Sequence, residues 1–160
     1  MKAASVKELK QELSNCSQQE LLELCLRLSK FKKENKELLT YLLFESYDEA
    51  GYIENVKSEI DTQFDQINRK TYYFIKKGVR KILRDLKKFI RYSQKKETEI
   101  DLLIYFCLKL KNFTPFIHKN PTLQKLYLGQ IKMIEKAVGT LHEDLQSDYG
   151  PELKELGNLK

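Results

Sequence analysis

The residues of this chain that are best suited to binding a charged ligand are the lysines and arginines between positions 68 and 96. This stretch contains twelve of them and a single acidic residue, Asp85. Successive residues of an α-helix are rotated by about 100°, so many of these cations fall on one side of a helix. That side carries Tyr73, Lys77, Arg80, Lys81, Arg84, Lys88, Arg91 and Lys95. From Lys77 to Lys95 the row is roughly 27 Å long at 1.5 Å per residue. These residues are therefore candidate contacts for the phosphate backbone of a nucleic acid or for an acidic partner.

The same row is also typical of a solvated helix face, and part of it is expected to be neutralised within the chain. Residues 68–96 carry 12 − 1 = +11 charges and the remainder 17 − 22 = −5, which gives the total of +6. Seven acidic residues and one lysine lie directly upstream, between positions 45 and 65. If that segment folds back as an antiparallel helix, it will pair with the basic row. The sequence therefore favours a solvated or internally paired face over a phosphate-binding groove.

Other residue types that support catalysis or metal binding are few and scattered. The two histidines, His118 and His142, have no second ligand one helical turn away, although metal sites need clustered ligands. The chain has no Cys-x-x-Cys pair, no glycine-rich phosphate loop and no Gly-x-Ser-x-Gly motif. Cys107 lies in the most apolar stretch, where a thiol is unreactive. We therefore expect no enzyme activity, no metal or other cofactor and no small-molecule substrate.

The cysteine content and the apolar runs predict a cytoplasmic protein without a membrane span. The first ten residues lack the apolar core of a signal peptide. The longest apolar run, Leu102–Leu108, has seven residues, whereas a membrane-spanning helix needs about 20. Three widely spaced cysteines favour free thiols, as in a reducing compartment.

The elements that position the basic row are predicted to be helices. Ser-x-x-Glu patterns at positions 5 and 17 indicate capping boxes that begin two short helices. Residues 72–92 are expected to form a two-faced helix, because their apolar residues recur at helical spacing. The buried stripe comprises Ile75, Val79, Ile82, Leu86, Phe89 and Ile90. A break at Asn68–Thr71 separates this helix from the preceding one, since Asn suits a C-terminal cap and Thr an N-terminal cap.

The predicted architecture is all-α, with six to seven helices in stacked antiparallel pairs. The pairs lie near 17–46, 52–93 and 98–147, and form either a solenoid-like array or a compact bundle. A helix at 98–112 is apolar nearly all round and is expected at the centre. Residues 1–149 are predicted to form a single domain. Gly150-Pro151 is expected to end the last helix, leaving residues 150–160 as a flexible tail.

Two parts of the chain resemble known families. Residues 76–107 (KKGVRKILRDLKKFIRYSQKKETEIDLLIYFC) and 141–150 (LHEDLQSDYG) are similar to segments of an uncharacterised family of small helical bacterial proteins. That resemblance implies a helical fold in a bacterial cytosolic protein, without an established activity. Residues 5–28 are similar to the helix–extension–helix DNA-binding motif known as SAP. Its Gly-Leu between the helices and the basic residue before the second helix are absent here.

These observations favour a non-enzymatic helical module for protein–protein interaction or scaffolding. An acidic protein partner or self-association is the expected interaction, because charge of both signs is concentrated in separate segments. The alternative is binding to the phosphate backbone of a nucleic acid through the basic helix at 69–96. Binding of that kind would weaken steeply with salt.

Overall fold

The computed structural model describes residues 2–157, and this range is all-helical, as predicted. Its α-helices are α1 (Val6–Leu13), α2 (Gln18–Phe31), α3 (Lys33–Thr40), α4 (Glu49–Asp65), α5 (Tyr72–Ser93), α6 (Lys96–Lys111), α7 (Pro121–Val138) and α8 (Glu143–Gly157). A π-helical segment spans Tyr41–Glu45, and a 3₁₀ turn spans Ile117–Lys119. These eight α-helices of residues 2–157 exceed the predicted six to seven, because the last predicted helix ends at Val138 and a new one begins at Glu143.

The chain divides into two compact units between Phe44 and Glu45. The predicted single domain at 1–149 spans this division. In the first unit, both predicted capping boxes are present: the Ser5 and Ser17 hydroxyls accept the backbone N–H groups of Glu8 and Glu20. Helices α2 and α3 pack together. The apolar side chains of α1 and α2 nevertheless remain largely exposed.

The second unit is built around α6. This helix, predicted at 98–112, spans Lys96–Lys111 and packs against α4, α5, α7 and α8. Its buried residues occupy nearly every side of the helix, which is why it needs neighbours all round. They are Thr98, Ile100, Leu102, Leu103, Ile104, Phe106, Cys107 and Leu110.

Helix α5 has the two faces that its spacing predicts. Ile75, Val79, Ile82 and Leu86 are at most 2% exposed. Phe89 and Ile90, also assigned to the stripe, are only half-buried, and Leu83 and Tyr92 are buried instead. The apolar face of α5 is thus buried against the neighbouring helices, and the basic residues of α5 lie outside the core.

The predicted break between α4 and α5 is confirmed. Helix α4 ends at Asp65, and the Asn68 side chain then accepts the backbone N–H of Lys70 at 3.0 Å, which forms a turn. The two helices are antiparallel, because the Tyr52 hydroxyl at the start of α4 donates to the backbone carbonyl of Phe89 near the end of α5, at 2.9 Å.

The C-terminal region differs from the predicted tail. Helix α8 continues through Pro151 to Gly157. A proline inside a helix costs about 3 kcal/mol, and here two contacts oppose that cost. Leu156 is fully buried, and its carbonyl accepts the buried Tyr127 hydroxyl at 2.8 Å. Residues 158–160 of the predicted tail lie outside the described residues.

Candidate functional site

An open cleft of about 710 Å³ lies where the end of α4 and the following turn meet the first half of α5. Its sides come from both helices, and Ile67, Gly78 and Ile82 contribute its apolar part. The remaining lining residues are polar, basic or aromatic: Gln63, Gln66, Asn68, Tyr73, Phe74, Lys76, Lys77, Arg80, Lys81 and Arg84. No aspartate or glutamate is among the residues that line it.

The cations of the cleft form a continuous row on α5. Lys77, Arg80, Lys81 and Arg84 have the spacing i, i+3, i+4, i+7, which places them on one face of a helix. Within residues 2–157, Lys77, Arg80 and Lys81 form no ion pair, and Arg84 approaches only its neighbour Asp85, at 3.9 Å. The Arg84 side chain is 75% exposed. The row is therefore available to an external anion.

The start of α5 adds to the positive field. Thr71, its N-cap residue, makes no side-chain hydrogen bond to the first turn, and that turn contains no acidic residue. The first backbone N–H groups of a helix have no partner within the helix and give its N-terminus a partial positive charge, which attracts anions. An acidic or capping side chain often offsets this charge. Here the nearby cation Lys76 adds to the positive charge instead.

Two aromatic rings flank the row of cations. Tyr73 is 66% exposed and Phe74 is 42% exposed. Their ring centroids are 5.4 Å apart at an interplanar angle of 74°, an edge-to-face contact. Tyr73 precedes Lys77 by four residues, so its ring lies one helical turn before the first cation.

Gly78 allows the two sides of the cleft to approach closely. A Cβ atom at this position would lie 2.9 Å from Cγ1 of Ile67, which is closer than real side chains pack. Ile67 therefore rests directly on the backbone of α5. A glycine in the interior of a helix is unfavourable by about 1 kcal/mol relative to alanine, and the close packing gives a physical reason for it here.

The acidic residues of α4 do not cover this cleft. Asp61 accepts hydrogen bonds from the Tyr105 hydroxyl and forms an ion pair with Lys109, each at 2.7–2.8 Å. Glu54 pairs with Lys57 within α4, at 2.8 Å. The expectation that segment 45–65 would neutralise the basic row therefore fails for the lining of the cleft, which contains no aspartate or glutamate. Asp61 is held by Tyr105 and Lys109 of α6. Glu59 accepts a hydrogen bond at 2.9 Å from Gln63, on the α4 side of the cleft, but is not itself among the lining residues.

Glu49, at the start of α4, does pair with one of the predicted basic contact residues. It forms an ion pair with Lys95 at 2.9 Å and accepts the Thr98 hydroxyl at 2.6 Å and the Ser93 hydroxyl. This cluster joins the start of α4 to the turn between α5 and α6. Lys95, predicted as a ligand contact, therefore has an internal partner.

Five of the eight predicted contact residues line the cleft, and three lie elsewhere. Tyr73, Lys77, Arg80, Lys81 and Arg84 line the cleft. Arg91 and Lys95 line a separate hollow near Glu99, and the Lys88 ammonium lies 4.9 Å above the Phe89 ring. The cleft also contains residues that the sequence reasoning did not select. Phe74 and Lys76 adjoin selected positions, whereas Gln63, Gln66 and Asn68 reach the cleft only because α4 folds back on α5.

Comparison with known proteins gives no relative from which a function can be transferred. No protein-family model, no curated protein and no solved structure matches the chain. This agrees with the expected resemblance to an uncharacterised family.

Within residues 2–157, no three His, Cys, Asp or Glu side chains are grouped so that they could hold a metal ion. None of the helices in this range combines the length and the hydropathy that a membrane crossing requires. Burial raises the pKa of the Cys107 thiol to about 12, so this thiol is protonated at neutral pH.

Proposed function

We propose that this protein binds the phosphate backbone of a nucleic acid in the cleft between α4 and α5. The observation that carries the proposal is that five lysines and arginines line one cleft whose lining contains no acidic residue. These are Lys76, Lys77, Arg80, Lys81 and Arg84. Like charges held this close repel one another, and a bound polyanion would relieve that repulsion.

The shape of the site favours an extended polyanion over a small anion. The four cations at helical spacing, from Lys77 to Arg84, extend about 10 Å along α5 at 1.5 Å per residue. A single phosphate or carboxylate would satisfy only one or two of them. A polymer with a charge on every repeat can contact the whole row and releases its condensed counterions when it binds.

An acidic protein partner could use the same cations, but the exposed aromatic pair favours a nucleic acid. Clefts that bind nucleic acids without strong sequence preference combine cations for the backbone with aromatic rings for the bases. Tyr73 and Phe74 provide such rings at one end of the row. The structure therefore supports nucleic-acid binding, which the sequence analysis gave as the alternative, better than binding to an acidic protein partner.

The proposal is tested with a triple variant of the cleft, Lys77→Gln, Arg80→Gln and Arg84→Gln. Fluorescence anisotropy with a labelled oligonucleotide measures its Kd. For single strands each lost phosphate contact lowers the salt slope of log K by about 0.7, so three lost contacts lower it by about 2. Electrostatic contributions become small at about 1 M salt, so the wild-type and variant affinities should converge there. One decade lower, at about 0.1 M salt, the variant should bind about a hundredfold more weakly than the wild-type protein.

A matched control separates this local effect from net charge. Lys125, Lys132 and Lys136 are exposed on α7, outside the cleft. Replacing these three with glutamine also lowers the formal charge from +6 to +3. We expect the control to retain most of its affinity. Equal losses in both triple variants, or no binding by the wild-type protein at low salt, would refute the proposal.

A second candidate function is self-association through the first unit. Leu9, Leu22 and Phe31 are more than half exposed, which is unusual for large apolar side chains on amphipathic helices. Sedimentation velocity over a range of protein concentrations tests it. The variant Leu22→Ser should reduce any concentration-dependent dimer, whereas Leu128→Ser in α7 should not. A monomer at all concentrations would contradict this candidate. Cytoplasmic location and the lack of enzyme activity stay predictions.

A further inference from the structure

We infer that the cleft prefers single-stranded to duplex nucleic acid because an unpaired base stacks on Tyr73. This inference rests on the proposed function and specifies the ligand class of the same cleft. The cations alone contact any phosphate backbone, duplex or single-stranded. The aromatic rings introduce the distinction, since they can use only a base whose face is accessible.

Tyr73 is positioned as a stacking platform. Its ring is two-thirds exposed, although it lines the cleft. Its edge-to-face contact with Phe74 restrains its orientation. An ordered ring loses less conformational entropy when a ligand binds than a freely rotating one does. The pair therefore presents a preorganised aromatic surface.

The spacing between ring and cations suits one strand. Tyr73 lies about 6 Å along the helix axis from Lys77, four residues later. A nucleotide stacked on Tyr73 can thus place an adjacent phosphate at Lys77, and the following phosphates continue along Arg80, Lys81 and Arg84. In a duplex the base faces are covered by their neighbours, so Tyr73 would contact only the backbone.

The opposite side of the cleft supplies polar groups rather than further charge. Gln66 and Asn68 line the cleft, and side-chain amides both donate and accept hydrogen bonds. Base edges present the same two kinds of group. The Asn68 oxygen already accepts the Lys70 backbone N–H, which leaves its NH₂ group as a donor. A strand with its backbone on α5 would direct its bases toward these amides. This arrangement gives unpaired bases further contacts that a duplex does not offer.

Three labelled probes of equal length test the inference on the full chain. They are a twelve-residue oligothymidine, a strand with the same sugar-phosphate backbone that lacks all its bases, and a twelve-base-pair duplex. The wild-type protein should bind the oligothymidine more tightly than either other probe at the same salt concentration. Stacking contributes about 1–3 kcal/mol per base when measured by alanine substitution, so Tyr73→Ala should weaken oligothymidine binding by about 5- to 150-fold. Its affinity for the duplex and abasic probes should be unchanged.

Two further variants control for the loss of an exposed aromatic side chain. Tyr73→Phe keeps the ring and should retain the preference for oligothymidine. Tyr47→Ala removes another exposed tyrosine, one that does not line the cleft, and should bind as the wild-type protein does. Circular dichroism checks that each variant remains folded.

The outcomes distinguish this inference from the proposed function. If Tyr73→Ala weakens the duplex and oligothymidine equally, or if the abasic probe binds as tightly as oligothymidine, stacking is refuted while phosphate binding stands. If no probe binds the wild-type protein, or if the triple cleft variant binds all probes normally, the proposed function itself fails.

Discussion

Gly78→Ala is expected to destabilise the protein, although alanine is the better helix former. The added Cβ would lie 2.9 Å from Cγ1 and 3.4 Å from Cγ2 of Ile67. Overpacking of this kind costs about 1–3 kcal/mol, whereas replacing glycine in a helix gains about 1 kcal/mol. The free energy of unfolding should therefore fall by about 1 kcal/mol, the difference between these central values.

The sign of this effect should reverse when Ile67 is shortened. Ile67→Ala alone is expected to cost about 2–5 kcal/mol. It also removes the atoms that collide with the new Cβ, so adding Gly78→Ala to this variant should recover about 1 kcal/mol. The coupling between the two sites is then about 2 kcal/mol, which urea unfolding followed by circular dichroism can resolve.

Gly129 provides the matched control for this double-mutant cycle. It lies within α7, and apart from its chain neighbours and the backbone of its own helix no atom would lie within 4 Å of a Cβ at this position. Gly129→Ala should therefore stabilise the wild-type protein by about 1 kcal/mol from helix propensity alone. If Gly78→Ala stabilises the wild-type protein as much as Gly129→Ala does, the close contact that shapes the cleft is refuted.

Three other predictions concern the second unit. Burial opposes ionisation of Asp61, but hydrogen bonds from Lys109 and Tyr105 and the Lys109 charge outweigh it and lower the pKa of Asp61. A lowered pKa stabilises the fold above the ordinary value of 3.8. Asp61→Asn should thus be less stable than wild type at pH 7, with the difference shrinking as the pH falls below that value; a constant difference in urea unfolding would contradict this. Iodoacetamide at pH 8 should modify exposed Cys25 well before Cys107, whose burial raises its pKa to about 12; equal rates by mass spectrometry would argue against a closed core. Leu156→Ala should lower the free energy of unfolding by about 2–5 kcal/mol, whereas a flexible tail would leave it unchanged.

The two-faced character of α5 follows from local spacing, so the sequence was sufficient to predict it. Ile75, Val79, Ile82 and Leu86 recur at helical intervals, and a helix buries such a stripe whatever it packs against. The break before Tyr72 was likewise predicted at the right place, but the caps expected there do not form. Gln66 rather than Asn68 is the C-cap of α4, and the Thr71 side chain makes no capping hydrogen bond. Asn68 instead stabilises the turn by accepting the Lys70 backbone N–H. These features depend on residues close together in the chain.

The cleft itself could not be predicted in the same way. Its second side requires Gln63 and Gln66 to lie opposite α5, which depends on the direction that the chain takes after Asp65. The sequence also shows how many acidic residues α4 has, but not which neighbour each one faces. Asp61 proves to bond to Tyr105 and Lys109 of α6, and no aspartate or glutamate is among the residues that line the cleft beside the basic row. The helical course of residues 150–157 depends on Leu156 reaching Tyr127, again a long-range contact.

The most direct test of the central claim is an amide chemical-shift titration of the full chain with a twelve-residue oligothymidine at low salt. The largest shift changes are expected between Gln63 and Arg84, the limits of the cleft, and added salt should reverse them. Shift changes centred on α7 and α8, or no change at low salt, would contradict it.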